Sequence, residues 1–262
     1  MKFRINSATA KGRFHEKNED SSICNDRYIV IADGMGGEVG GDVASKIAIA
    51  SISNVLDKSI SDVGTEKEIQ DLSFSAILSA DNEIQKYIAT HPDADGMGTT
   101  VVLLIYINQN LYISWCGDSR CYYYSPKRKL ELLTTDHSYV QQLVDERKIT
   151  LEESYTHPDN NIITKYVGGG EDTCDPEFVS AKLEDNGLVI VCSDGLSGYC
   201  KIEEIEKELQ SSTCENLSQL LLEFAIGKGS DDDITIVTLI PETKHFTCRN
   251  TMIDWWKRLT HW

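Results

Sequence analysis

Basic residues are scarce in this chain: 25 Lys and Arg stand against 42 Asp and Glu, a net charge of −17 over 262 residues. A surface of that sign repels phosphate backbones and anionic headgroups, which argues against nucleic-acid binding by the body of the protein and makes divalent cations its natural counter-ions. Proline is also rare, with five in all, and no Pro/Ser-rich tract, low-complexity run or internal repeat marks a domain boundary. No stretch approaches the ~18 uninterrupted apolar residues of a membrane span, and the opening MKFRINSATAKGRFHEKNED lacks the apolar centre of an export signal. The eight cysteines (Cys24, Cys116, Cys121, Cys174, Cys192, Cys200, Cys214 and Cys248) form no CxxC pair and none has Arg six residues on. Zinc-site, disulfide-framework and cysteine-phosphatase chemistry therefore have no support, and a cytoplasmic protein with reduced thiols is expected.

The apolar residues that are present gather into short β-branched and aromatic runs at 28–32, 99–106, 110–116, 121–124, 187–192 and 234–240, bounded by Gly, Asp, Asn or Pro, and these are expected strands. Ala44, Ala48, Ile52, Val55 and Leu56, and then Ile69, Leu72, Ala76, Ala80, Ile84 and Tyr87, recur at three- and four-residue spacing. That spacing predicts two amphipathic helices between the first strand and the second. Further helices are expected at 202–210 and about 215–226, with Gly227 as a stop. Short turns such as Asn108-Gln109-Asn110 point to an antiparallel meander. The polar, weakly periodic segment 136–176 is expected to be partly mobile. The sequence divides into one domain, 1–242, and a basic tail, 243–262, which carries four basic residues, one acidic residue and three of the four tryptophans. Met252, Trp255, Trp256 and Leu259 can share a helix face beside Lys257 and Arg258, so the tail either folds back onto the acidic body or contacts a membrane or partner.

Acidic residues recur where strands end. YIVIA runs into Asp33-Gly34 and LVIVCS into Asp194-Gly195, Gly117-Asp118-Ser119-Arg120 lies between two strands, and Asp231-Asp232-Asp233 precedes the last. Converging carboxylates are costly unless hard cations neutralise them, and an oxygen-only donor set selects Mg²⁺ or Mn²⁺. The run Gly34-Met35-Gly36-Gly37 fails as a phosphate loop, because position 39 is Val39 and Gly41 is followed by Asp42-Val43. Its glycines suit a metal site better: without a Cβ, Gly34 can turn its carbonyl toward a cation held by Asp33.

Asn18-Glu19-Asp20, Asp33-Gly34-Met35-Gly36-Gly37, Gly98-Thr99-Thr100, Gly117-Asp118-Ser119-Arg120, Ser193-Asp194-Gly195-Leu196 and Asp232-Asp233-Ile234-Thr235 resemble, in order and spacing, the bacterial-type metal-dependent Ser/Thr protein phosphatases, the type 2C family. The resemblance implies an α+β fold, a four-layer α-β-β-α sandwich of two antiparallel sheets flanked by helix pairs, with two Mg²⁺ or Mn²⁺ ions at one end and a third, weaker one. It assigns Asp33 as the bridging carboxylate, the Gly34 carbonyl and Asp20 to the second ion with Glu19 as auxiliary, Asp194 and Asp232 to the first, and Asp118 to the third. Asp33, Asp194 and Asp232 would act through a metal-activated water, and 140–167 would form a flap beside the site. The implied partners are phosphoprotein substrates and a cognate Ser/Thr kinase, for a monomeric enzyme.

Two positions depart from the family pattern. His15 stands where the family usually has a phosphate-gripping Arg, with Arg13 two residues earlier; on a strand the two would share a face, so either is a candidate substrate-binding residue. Asp233 stands where the family generally has Asn, as an auxiliary to the metals or as an ordinary solvated or helix-facing acid. Two other functions stay open, a pseudophosphatase acting as a regulatory binding module and a phosphatase of small phosphoesters.

Overall fold

The computed structural model describes residues 2–36, 40–170, 172–211 and 216–242, so Gly37, Cys214, Cys248 and the whole tail 243–262 lie outside the described residues. In chain order the strands are β1 (Phe3–Ala10), β2 (Ser21–Cys24), β3 (Tyr28–Ala32), β4 (Gly34–Met35), β5 (Gly98–Thr99), β6 (Val101–Ile107), β7 (Asn110–Cys116), β8 (Arg120–Ser125), β9 (Lys129–Leu132), β10 (Glu177–Lys182), β11 (Leu188–Cys192) and β12 (Ile234–Pro241). The helices are α1 (Gly41–Ser59), α2 (Glu66–Thr90), α3 (Tyr139–Asp145), α4 (Leu151–Ser154), α5 (Asp194–Ser197), α6 (Ile202–Ser211) and α7 (Leu217–Gly227).

Two five-stranded antiparallel sheets, ordered β1-β12-β11-β8-β9 and β10-β7-β6-β3-β2, form the centre. The side-chain alternation of each strand divides its residues between two cores. In β3, Ile29 and Ile31 pack with Val102, Leu104 and Ile113 against Tyr123, Val191 and Val237 of the opposite sheet. Tyr28, Val30 and Ala32 point the other way, onto Ala44, Ala48 and Ile52 of α1 and Ala76, Ile77 and Ala80 of α2. On the far side, Ile190, Cys192 and Ile236 meet Ile205 and Leu209 of α6 and Leu221 and Ala225 of α7. The result is the expected α-β-β-α sandwich. Burial on both faces explains why the inner strands read as unbroken apolar runs rather than alternating ones.

The six strands expected from sequence are the six inner ones, and β1, β2, β9 and β10, which no apolar run announced, are the four sheet edges. An edge strand is half solvated, so FRINSATA and EFVSAK carry polar residues where an inner strand has Val or Ile. The run 99–106 is broken at Thr100: Gly98–Thr99 pairs with Gly34–Met35, while Val101–Ile107 joins the main sheet. Segment 136–176 contains α3 and α4, capped by Ser138 and Thr150. Among the described residues, no helix is long and apolar enough to cross a membrane.

Asp81 of α2 is buried, and its Oδ1 accepts the N–H groups of Gly168 at 2.7 Å and Gly170 at 3.2 Å. It thereby holds the loop whose Val167 exchanges two 2.8 Å hydrogen bonds with Thr99. Asp81→Ala strands these donors and is expected to cost about 3 kcal/mol in urea unfolding; an unchanged midpoint would show that the loop is held elsewhere.

Candidate metal centre

Five aspartates arrive at one end of the sandwich because five chain segments end or turn there. Asp33 follows β3, and its backbone is fixed from three directions. Its N–H donates to Thr100 Oγ1 at 3.1 Å, and its carbonyl accepts the Thr100 N–H and the Thr99 hydroxyl, each at 2.8 Å. Thr100 Oγ1 also shares a 2.7 Å hydrogen bond with Ser119, beside Asp118 on the β7–β8 turn. That turn requires Gly117, whose φ is +120° and whose missing Cβ would meet the Thr100 side chain at 2.5 Å. Asp194 opens α5 directly after β11, Asp232 stands ahead of β12, and Asp20 leads into β2. The Asp20 N–H donates to Asn18 Oδ1 at 2.9 Å, and Asp20 Oδ2 accepts the Ser193 hydroxyl at 2.8 Å.

The arrangement is electrostatically strained. Asp33 is pushed well above the ordinary carboxylate range, by burial first and then by repulsion from Asp20, Asp194, Asp118 and Asp232. Asp118 is likewise pushed well up, by burial and then Asp194 and Asp136. Burial raises Asp20 to about 7 and Asp194 to about 6, with neighbouring carboxylates adding to both. Asp20 Oδ1 and Asp118 Oδ1 are buried and make no hydrogen bond. Orphaned carboxylate oxygens beside mutually repelling acids are what a hard divalent cation would relieve, and every donor is oxygen, so the residues present fit Mg²⁺ or Mn²⁺. Among the described residues, no three His, Cys, Asp or Glu side chains are arranged to enclose one ion. Asp232 is raised as well, by burial first, although its Oδ1 accepts the Asp233 N–H at 2.8 Å and lies 3.9 Å from His15 Nε2.

Several expectations change here. Gly34 lacks a Cβ because one would lie 2.0 Å from the Gly41 carbonyl oxygen, so helix packing rather than carbonyl rotation demands glycine. Gly195 answers the same constraint, with the Asp233 carbonyl oxygen 2.0 Å from its missing Cβ. Arg13 and His15 do not share a strand face: residues 11–20 form no strand, and Arg13 lies with its guanidinium carbon 5.5 Å over the Phe14 ring. His15 Nδ1 is 3.1 Å from Asp233 Oδ2, and hydrogen bonding to Asp233 raises the imidazole above its ordinary value against a smaller burial effect. Asp233 is not solvated: it is 2% exposed and both oxygens accept backbone N–H groups. Glu19 is raised by burial and by Asp233.

The Thr99, Thr100, Ser119 and Ser193 hydroxyls had no sequence signal beyond their place in the motifs that carry the family resemblance. Sequence reasoning missed the partner of Arg120, which grips Asp136 through two hydrogen bonds of 2.8 and 2.6 Å and closes the β8 side of the site. A cleft of about 430 Å³ runs from Asp118, Asp194 and Asp232 to Tyr155, Asn160 and Asn161 of the 140–167 segment.

The Protein phosphatase 2C family model matches residues 6–148. The chain belongs to the protein phosphatase 2C family. It is 32% identical over 235 residues to the serine/threonine phosphatase stp of Listeria monocytogenes, covering 87% of this chain and 92% of that protein. It is 31% identical over 234 residues to the serine/threonine protein phosphatase PstP of Mycobacterium tuberculosis, covering 89% of this chain but only 44% of PstP. The crystal structure of the PstP catalytic domain in complex with two manganese ions superposes with a TM-score of 0.77 at 29% identity, covering 91% of this chain and 97% of that one.

The raised carboxylates predict an unusual pH dependence in EDTA. Asp20 at about 7 and Asp194 at about 6 keep protons that the unfolded chain releases near its ordinary value of about 4, so their contribution is full below about pH 4 and lost as pH climbs to about 7. Melting temperature should fall between pH 5 and 7.5 without metal and recover most on adding Mn²⁺ at the upper end; a flat or rising metal-free profile would contradict the strained cluster.

Proposed function

We propose that this chain is a metal-dependent protein-serine/threonine phosphatase that removes phosphate from phosphoserine and phosphothreonine and so opposes a Ser/Thr kinase. The observation that carries the reading is the convergence of Asp20, Asp33, Asp118, Asp194 and Asp232 on one sandwich end, where Asp118, Asp194 and Asp232 line a cleft. Residues 1–242 are read as the catalytic unit and 243–262 as a separate basic tail.

Two divalent ions, Mg²⁺ or Mn²⁺, with a third held more weakly, would supply an acidified water and Lewis-acid stabilisation of phosphoryl oxygens. Asp33, Asp194, Asp232, Asp20 and the Gly34 carbonyl would hold the two. Asp118 would serve the third. Thr99, Thr100 and Ser193 hold the Asp33 backbone and the Asp20 carboxylate in place, so little reorganisation is needed as charge develops on the phosphoryl group. His15 is the candidate hydrogen-bond donor to the substrate phosphate: with Nδ1 held at Asp233, its Nε2 faces Asp232 and the site. The cleft bordered by Tyr155, Asn160 and Asn161 lies beside Asp118, Asp194 and Asp232, where a phosphorylated side chain would enter.

Hydrolysis of p-nitrophenyl phosphate and of a phosphothreonine peptide tests this. Wild type should turn over both with Mn²⁺ and neither in EDTA, Asp194→Asn should lose at least 100-fold in kcat/KM, and His15→Ala should raise KM several-fold. An inert wild type would favour the pseudophosphatase reading, and preference for nucleotides over the peptide would favour a small-phosphoester enzyme. Unchanged kinetics in His15→Ala would remove it from the site.

A further inference from the structure

Asp233 is the buried acid that the proposed chemistry leaves without a task, and its surroundings are unusually specific. Oδ1 accepts the Gly12 N–H at 2.7 Å, Oδ2 accepts the Glu19 N–H at 2.6 Å, and His15 Nδ1 lies 3.1 Å from Oδ2. One carboxylate thus spans the whole of the loop from residue 12 to residue 19. The loop is seated on the same stretch of backbone a second time: the Arg13 N–H donates to the Asp231 carbonyl at 3.0 Å. Gly12 lies so close that a Cβ would meet the Asp231 oxygen at 2.6 Å, the Asp232 carbonyl carbon at 2.8 Å and the Asp233 nitrogen at 3.0 Å. The next residue after this loop is Asp20, and the Asp233 carbonyl presses on Gly195, beside Asp194.

Consecutive residues at the start of β12 therefore have opposite duties. Asp232 borders the cleft, whereas Asp233 turns inward and spends its acceptors on a different segment. We propose that Asp233 is a positioning residue, which latches the 12–19 loop to the start of β12 and thereby sets Glu19 and Asp20 in register with Asp33 and Asp194 for divalent-cation binding, without itself touching the cation. The inference rests on the metal-centre reading and deepens it by naming what holds the acidic pair in place. Backbone N–H groups bound to a fixed carboxylate resist displacement more than a loop held by solvent does, and loss of a group that orients metal ligands typically costs about 10–100-fold in metal affinity.

Calorimetric titration of the full chain with Mn²⁺ at pH 7.5 tests the latch without relying on turnover. Asp233→Ala removes its acceptors, and Gly12→Ala unseats the loop while leaving every charge in place. Ser218→Ala is the control for general destabilisation: its hydroxyl donates to the Asn6 carbonyl at 2.8 Å and meets Thr238 further along β12. Asp233→Ala and Gly12→Ala should each weaken Mn²⁺ binding at least tenfold, and Ser218→Ala should lower the melting temperature but bind Mn²⁺ as wild type does. If Asp233→Ala does not fold, Asp233→Asn, which keeps the shape and one acceptor oxygen, takes its place with a smaller expected loss.

A loss in the Asp233 variant but not in Gly12→Ala would overturn the latch, since only the removed charge would then matter. Wild-type affinity in both variants, or an equal loss in Ser218→Ala, would overturn it as well. A wild type that does not bind Mn²⁺ would overturn the metal-centre reading together with the latch, which separates that failure from the others.

Discussion

Repulsion among buried carboxylates is the constraint around which this molecule is arranged. Asp20, Asp33, Asp118 and Asp194 are all shifted upward, each with burial as the leading cause and further acids as contributors. A fold that tolerates such a cluster must fix the side chains by contacts that do not neutralise them. Neutral groups fill that role: the Thr100 hydroxyl oxygen accepts the Asp33 N–H while the Thr100 N–H donates to the Asp33 carbonyl, the Ser193 hydroxyl donates to the Asp20 carboxylate, and Asn18 Oδ1 accepts the Asp20 N–H. Arg120, beside the cluster, is committed to Asp136 and so compensates it only at a distance. The deficit of positive charge is left for divalent ions to fill.

The sandwich makes this convergence possible. Strands β3, β7, β11 and β12 have the same end in common, and antiparallel pairing within and packing between the sheets fix their relative heights. Apolar burial on both faces of each sheet supplies the rigidity, since moving one strand end would disturb two cores at once. Glycines at 34, 117 and 195 stand where neighbouring chain approaches too closely for a side chain. The acidic end is therefore held by features outside it, among them the Asp81 anchor of the 168–170 loop and the seating of residues 12–19 on 231–233.

How much of this was legible in the sequence follows from burial. Inner strands such as YIVIA and LVIVC announce themselves because both faces are apolar; the edge strands Phe3–Ala10 and Glu177–Lys182 do not, because water replaces one neighbour. The five aspartates were legible because Asp at a strand end is a local pattern repeated in a recognisable order. The contacts that place them were not, since Asp233 meets Gly12 across 221 residues and Ser193 meets Asp20 across 173. His15 shows the same limit: Arg13 and His15 would share a face only on a strand, residues 11–20 form none, and the partner of His15 is the other residue that departs from the family pattern. Two departures that look independent in sequence are one contact in space.

As proposed, Asp33 and its neighbours would form a single cation-binding unit rather than a set of separate strained acids. Counting the Mn²⁺ retained per chain after equilibrium dialysis at pH 7.5, in wild type and in Asp33→Asn, tests it directly. A shared carboxylate predicts at least two ions in wild type and no more than one in the variant. Fewer than two in wild type, or no loss on changing Asp33, would contradict the account.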